Sequence, residues 1–163
     1  MSRVLQITVQ SELESYGFTV VAKDFGLPWG GFLVIDEDQA QIFANRFFDG
    51  LDVQGLMIDG KLSPKMLIVN PGSRLSWQFH RRRAEIWQVY RGTVGVIRSD
   101  DDVQGAMEEL QEGVQIKLAK GERHRLIGLA DFGVVAEIWQ HTERVPSDEE
   151  DIVRVQDDFN RQS

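Results

Sequence analysis

The sequence predicts a mainly β fold carrying a short α-helical N-terminal extension, and three observations point there. From about residue 65 onward, the apolar runs are short and punctuated by Gly, Asp and Asn. Helical spacing of apolar residues is confined to the first 50 residues, where Ile42, Phe43, Phe47 and Phe48 share one helical face. No repeat, low-complexity tract or Pro/Gly/Ser linker divides the 163 residues, a length that fits one domain with one core.

Taken in order, the N-terminal stretch leads into Ser11-Glu12-Leu13-Glu14, whose Ser-x-x-Glu form is that of a capping box and reads as a brief helix or turn. Pro28-Trp29-Gly30-Gly31 forms a turn into a short strand. Asp36 to Gly50 opens on acidic residues and closes on glycine, the pattern of an amphipathic helix. Seven runs follow: KMLIVN, SRLSWQFH, EIWQVYRG, GVIRSD, GVQIKLAKG, HRLIGL and GVVAEIWQ. Strands at such spacing make a β-sandwich or a barrel. The expected organisation is one domain, with an extension over 1–54, a barrel core over about 55–145 and an acidic tail over 146–163. Ile152, Val153, Val155 and Phe159 hold that tail against the body, with its charges on a solvated surface.

Composition narrows the chemistry. There is no cysteine, so a metal must take nitrogen and oxygen ligands. The net charge of -8 argues against a nucleic-acid partner. It does not exclude a small anion, because a cluster such as Arg81, Arg82 and Arg83 can invert the field locally. The N-terminus lacks the long apolar run of a signal peptide or anchor, so no membrane partner and a cytoplasmic location are expected.

Two of the three histidines fall at informative positions. Gly72 is followed by Gln78, His80, Glu85 and Gly92, and Gly113 by Gly121, His124 and Gly128. Residues two apart on a strand share a face, so Gln78 and His80 point together. A turn through Arg81 to Ala84 brings Glu85 alongside on the next strand, and His124 closes the set from another. Two imidazoles, a carboxylate and an amide oxygen suit Zn, Mn, Fe, Co or Ni, with positions left open for water or substrate.

These residues resemble the two-part motif of the cupin superfamily, G-x5-H-x-H-x3,4-E-x6-G and G-x5-P-x-G-x2-H-x3-N. Gln78 stands at the first His, Ala119 at the Pro and Gly128 at the Asn. The resemblance implies a cupin jelly roll, or double-stranded β-helix, binding one divalent ion, zinc first, through Gln78, His80, Glu85 and His124. Within cupins the chain is similar to type II phosphomannose isomerases. Asn70-Pro71-Gly72-SRLSWQFHRRRAEIW stands where they carry NPGQRLSLQYHHHRAEHW, and Arg123-His124-Arg125-Leu126 answers IHRLEN. Pro28-Trp29-Gly30 answers an upstream Pro-Trp-Gly. Glu150-Asp151-Ile152-Val153-Arg154 answers EDDIVR near the end. Arg81 and Arg82 replace two of that branch's three histidines, Ile86 replaces another, and Gln39 to Leu62 has no evident counterpart.

The resemblance implies interconversion of mannose 6-phosphate and fructose 6-phosphate through an enediol. Such a reaction needs a phosphate clamp, for which Arg83 and Arg125 are the candidates against a surface role, and a proton-transfer group, for which Glu137 and Lys65 compete with structural roles. Arg81 and Arg82 read as surface residues, and His141 as a rim or surface residue in phase with Glu137. Trp77, Trp87 and Trp139 are expected to fill the barrel or a homodimer contact, and Trp29 the core or a sugar pocket. Other readings are a cupin epimerase, lyase or oxygenase, or a sugar- or metabolite-binding cupin without catalysis.

Overall fold

Successive residues on a strand point to opposite faces, so a strand buried at every position must be covered on both sides. The computed structural model, which describes residues 2–56, 61–142 and 147–161, meets that condition at its centre. After helix α1 (Ser2–Ser15), the hairpin β1 (Val20–Leu27) and β2 (Gly30–Ile35) leads through a 3-10 turn (Glu37–Gln39) into α2 (Ala40–Phe47). Nine strands follow: β3 (Lys65–Val69), β4 (Trp77–Phe79), β5 (Arg83–Arg91), β6 (Val94–Ser99), β7 (Glu108–Leu110), β8 (Gln115–Leu118), β9 (Arg123–Gly128), β10 (Gly133–His141) and β11 (Val153–Gln156).

They form two antiparallel sheets, ordered β1-β2-β3-β10-β5-β8 and β11-β4-β9-β6-β7, which face each other as an open cupin jelly roll. One face of the larger sheet looks into the jelly roll with Leu67, Val69, Trp87, Val89 and Val135, and Leu126 meets them from the smaller sheet. The other face presents Met66, Ile68, Ile86, Val134, Ala136 and Ile138 to α1 and α2, which cover it with Val9, Leu13, Phe43 and Phe47. All five residues of β3 are buried for this reason.

Helix α1 is longer than the sequence reading gives, and Ser11 to Glu14 lie in its last part instead of starting it. Leu5, Val9 and Leu13 continue one stripe at four-residue spacing, which carries the helix back through the apolar stretch. Strand β1 was not expected; it is an edge strand, largely exposed, and so lacks the alternation that marks a half-buried one. Its hairpin needs glycine at position 30, where φ is +149° and a Cβ would collide with the Ile68 carbonyl.

The sheets pass the expected bounds of the barrel at both ends. Strand β2 pairs with β3, and β11, within the acidic tail, pairs with β4. The upper bound near 145 lies outside the described residues. Among the described residues no helix is long and apolar enough to cross a membrane.

Phe43 is fully buried, with ring centroids 5.6 Å from Phe18 and 4.8 Å from Phe47. Phe43→Ala is expected to cost about 3–5 kcal/mol of unfolding free energy, measured by urea denaturation. A loss below about 1 kcal/mol would mean that the helices do not seal the sheet.

Candidate metal centre

Pairing of short strands brings the predicted ligands together. Gln78 on β4 lies directly opposite His124 on β9, and Arg154 on β11 lies opposite Gln78. His80, two residues beyond Gln78, faces the same way, and the chain reverses through Arg81 and Arg82 to place Glu85 on β5. Glu85 Oε2 is 3.3 Å from His80 Nε2, and Oε1 is 3.4 Å from His124 Nε2. One ligand atom from each of His80, Glu85 and His124 falls within 4.8 Å of the others, and all three side chains are buried.

Hydrogen bonds around the cluster fix its protonation. His80 Nδ1 donates to the Asp151 carbonyl at 2.6 Å and His124 Nδ1 to the Glu122 carbonyl at 3.1 Å. In the neutral ring each of these bonds leaves the lone pair on Nε2, the nitrogen nearer Glu85. Burial pushes the His80 pKa down to about 4, and the neighbouring Arg83 and His124 push the same way, so the ring is neutral at pH 7. Burial opposes the charge of Glu85, but the Arg83 guanidinium, bonded to it at 2.9 Å, outweighs that cost and holds the carboxyl well below its usual range. An ionised carboxylate thus faces the neutral His80 ring, and among the described residues His124 Nε2 is buried without a hydrogen-bond partner. Acceptors converging in this way are what a divalent cation satisfies, so the residues present fit the ion the cupin resemblance implies.

Gln78 sits beside the cluster, with Nε2 3.4 Å from His80 Nε2 and Oε1 at 2.5 Å from Ser76 Oγ. A half-turn of the amide exchanges oxygen and nitrogen within the same volume, presenting Oε1 to the cluster and letting Nε2 donate to Ser76.

The cluster opens on a cavity of about 220 Å³ between the sheets, bordered by every residue proposed from sequence for the site. Glu137 accepts from Trp87 Nε1 at 2.9 Å and from Trp139 Nε1 at 3.2 Å. Burial raises its pKa to about 8, with the charge of Glu85 adding to the effect and Lys65 and Arg83 opposing it. Lys65 Nζ is 3.9 Å from Glu137 and 2.6 Å from Glu149. Trp29 takes part in both alternatives open to it, packing in the interior cluster and lining the cavity.

The arginines differ from one another. Arg83 is buried, donates from Nε to Glu85 Oε2 at 2.9 Å and from Nη1 to Ser147 Oγ and the Asp148 carbonyl, each at 2.9 Å, and lies 3.7 Å above Trp139. It positions the carboxylate of the cluster. Arg125 takes the strand face opposite His124 and donates to the Leu75 carbonyl at 2.9 Å and to Gln156 at 3.1 Å. Arg81 is exposed, and Arg82 meets Asp148 at 3.3 Å. His141, read as a rim residue, is instead buried in phase with Glu137, and both ring nitrogens are bonded, to the Lys61 carbonyl at 2.7 Å and the Ser147 amide at 3.0 Å.

Sequence reasoning missed Asp151. Its carbonyl holds His80, while its carboxylate accepts from the Arg81 and Arg82 amides, each at 2.9 Å, and from Ser147 Oγ at 2.6 Å. Those bonds keep its pKa low despite burial. The expectation that the tail's charges are solvated therefore fails here, and the only signal was the Glu150–Arg154 run that carries the family resemblance.

Asp151→Ala is expected to weaken zinc binding about 10- to 100-fold in calorimetry, because the carboxylate that ties the turn after His80 to the tail, and so keeps the Asp151 carbonyl against the ring, is lost. An unchanged affinity would show that the tail merely covers the site. Glu137 stays protonated in the folded metal-free protein between its ordinary pKa of 4.5 and about 8, whereas the unfolded chain ionises it. Stability should therefore fall as pH rises through that window, and Glu137→Gln should flatten the slope of melting temperature against pH.

No curated protein matches the sequence. Among solved structures, the capsular polysaccharide assembling protein CapF from Staphylococcus aureus superposes with a TM-score of 0.55 at 11% identity, over 85% of this chain and 34% of that one. KdgF from Halomonas sp. superposes with a TM-score of 0.51 at 12% identity, over 75% of this chain and 87% of that one. This chain thus spans about a third of the CapF chain. At such identities both are likenesses of fold. The sequence profile described as mannose-6-phosphate isomerase C-terminal matches residues 41–157. It takes in α2 and the segment up to Leu62, for which no counterpart was evident, as well as β11. A match over that much of the chain makes this protein a member of the mannose-6-phosphate isomerase C-terminal family, with the cupin fold.

Proposed function

We propose that the chain is a metal-dependent sugar-phosphate isomerase, interconverting mannose 6-phosphate and fructose 6-phosphate. The observation that carries this reading is that the Gln78, His80, Glu85 and His124 side chains and the Glu137 carboxyl border one cavity from different strands. Membership of the isomerase family supports it.

A divalent ion held by Gln78, His80, Glu85 and His124, zinc first among the candidates, supplies Lewis-acid polarisation of a substrate oxygen. Glu137 moves the proton between C1 and C2. Two indole N–H groups fix its carboxylate, and its raised pKa of about 8 suits a group that must both take and return a proton near neutrality. Lys65, held at 3.9 Å from Glu137, stabilises the ionised carboxylate once the proton has moved on. Arg83 keeps Glu85 ionised and oriented. The apolar wall of Trp29, Phe32, Leu67 and Leu126 excludes bulk water from the reacting carbons.

The direct test loads the protein with Zn, Mn, Co or Fe and follows fructose 6-phosphate formed from mannose 6-phosphate. Turnover is expected with at least one ion. His80→Ala should abolish both ion binding and turnover, and Glu137→Gln should retain the ion and lose about 100-fold or more in kcat. A protein that binds an ion at His80 yet turns over with none of the four is a cupin of other activity.

A further inference from the structure

An isomerase for a phosphorylated sugar needs fixed cations at the end of the cavity away from the ligand cluster. The two arginines singled out in the sequence do not supply them. Arg83 directs its donors to Glu85, Ser147 and Asp148, and Arg125, on the strand face away from His124, sends Nε to Leu75 and Nη1 to Gln104 and Gln156, with Nη2 3.8 Å from Asp158.

The C-terminal tail carries two others. Arg154, on β11, pairs in register with Gln78, which pairs in register with His124, so the three form one row across adjacent strands. Side chains in such a row project from the same face, here the interior. With strands about 4.8 Å apart, Arg154 stands about 10 Å from His124 along the row. The seven single bonds from C1 of an open-chain hexose 6-phosphate to its phosphorus span about 8 Å when extended, by the reach of a chain of single bonds. Arg161 borders the same cavity, and its guanidinium is pinned by Asp157 through bonds of 2.8 Å and 3.0 Å. Arg154 is lowered in pKa by burial and then by the nearby positive charge of Arg161, with Asp157 opposing, so the two cations lie close together. Two guanidinium groups bordering one cavity offer forked, charged donors of the kind that suits a dianionic phosphate.

We infer that Arg154 and Arg161, delivered by the C-terminal strand and the turn after it, form the phosphate-holding pair of this site, with Arg154 beyond Gln78 in the row that starts at His124. This deepens the isomerase reading by naming what holds the far end of the substrate, and it rests on that reading for the choice of sugar phosphate as the anion. The tail then has two roles in one site: Asp151 orients a ligand histidine, and three residues later Arg154 receives the phosphate.

Calorimetry on the zinc-loaded full chain tests this, with mannose 6-phosphate and unphosphorylated mannose as probes. Arg154→Gln and Arg161→Gln should each weaken mannose 6-phosphate binding about tenfold or more, the scale of losing a hydrogen-bonded charge, and leave zinc affinity and mannose binding unchanged. Arg154→Lys should recover part of the loss, because it restores the charge without the fork. Zinc affinity within about twofold of the parent verifies that each variant keeps the site folded. Unchanged mannose 6-phosphate binding in both glutamine variants overturns the inference, as does a wild-type chain that binds the phosphorylated and plain sugars equally. Binding and turnover separate the two claims. Loss of phosphate-dependent binding in a protein that never forms fructose 6-phosphate sinks the isomerase reading and keeps the pair. Turnover with unchanged KM in both variants does the reverse.

Discussion

The inward face of the large sheet buries charge, and the rest of the molecule is arranged around that constraint. Lys65 on β3, Glu137 on β10 and Trp87 on β5 are direct cross-strand neighbours, and Glu85 and Arg83 follow on the same face of β5. An isolated buried charge costs several kcal/mol in a real protein, so each must be answered by a partner of opposite sign or a well-placed donor. Arg83 answers Glu85, and Glu137 takes two indole N–H groups and keeps its proton over much of the neutral range. A sheet spending one face in this way must recover its stability from the other. That accounts for the phenylalanine-rich cover of α1 and α2, with Phe18, Phe43, Phe47 and Phe48 packed edge to face and stacked over the apolar side of the same strands.

Holding the ligand cluster is shared between near and distant parts of the chain. Glu122, two residues before His124, fixes that ring's tautomer through its carbonyl, a local device. His80 is fixed by Asp151, 71 residues away, whose carboxylate also ties down the amides of the turn that follows His80. The turn and the tail are thus mutually ordered, and the same tail strand pairs with β4, which bears Gln78. Support of this kind matters because ligand geometry tolerates little slack, and a ring free to rotate loses the alignment of its lone pair.

What could be read from the sequence, and what could not, follows the range of the interactions involved. Gln78, His80 and Glu85 lie within eight residues of one another, and their common direction comes from the two-residue strand period and one short turn, both local properties. The central strands announced themselves by apolar runs. Strands β1, β7 and β11 did not: β1 is an exposed edge strand without polar–apolar alternation, and β7 and β11 have only three and four residues. The phase shared by Glu137 and His141 was legible, but its direction was not, since parity within a strand says nothing about which face meets the partner sheet. That direction is set by the register of β10 against β3 and β5, between strands far apart in the chain, and it turns His141 inward with Glu137. Asp151 acts partly through a backbone carbonyl, which any residue possesses, so side-chain chemistry could not betray it.

The proposed anion is compatible with a net charge of -8 because the lining of the cavity, not the sum over the sequence, sets the field inside it. Charge summed over the sequence is dominated by exposed acids, which water and salt screen within about 8 Å at physiological ionic strength. The field inside a cleft with low-dielectric walls depends instead on the few groups that border it. Lys65, Arg83, Arg125, Arg154 and Arg161 border this cavity with Glu85, Glu137 and Glu149. With Glu137 protonated below about 8, two carboxylates face five cations. One of those carboxylates, Glu85, is committed to the ligand cluster and paired with Arg83. The other, Glu149, has a side chain 72% exposed and lies 2.6 Å from Lys65. Lys65 and Arg83 are thus matched by Glu149 and Glu85, Arg125 turns its donors toward Gln156 and Asp158, and the tail supplies Arg154 and Arg161. The acidic composition of the tail hides this, because Arg154 and Arg161 are outnumbered in sequence by acids such as Asp148, Glu150 and Asp158 that do not border the cavity.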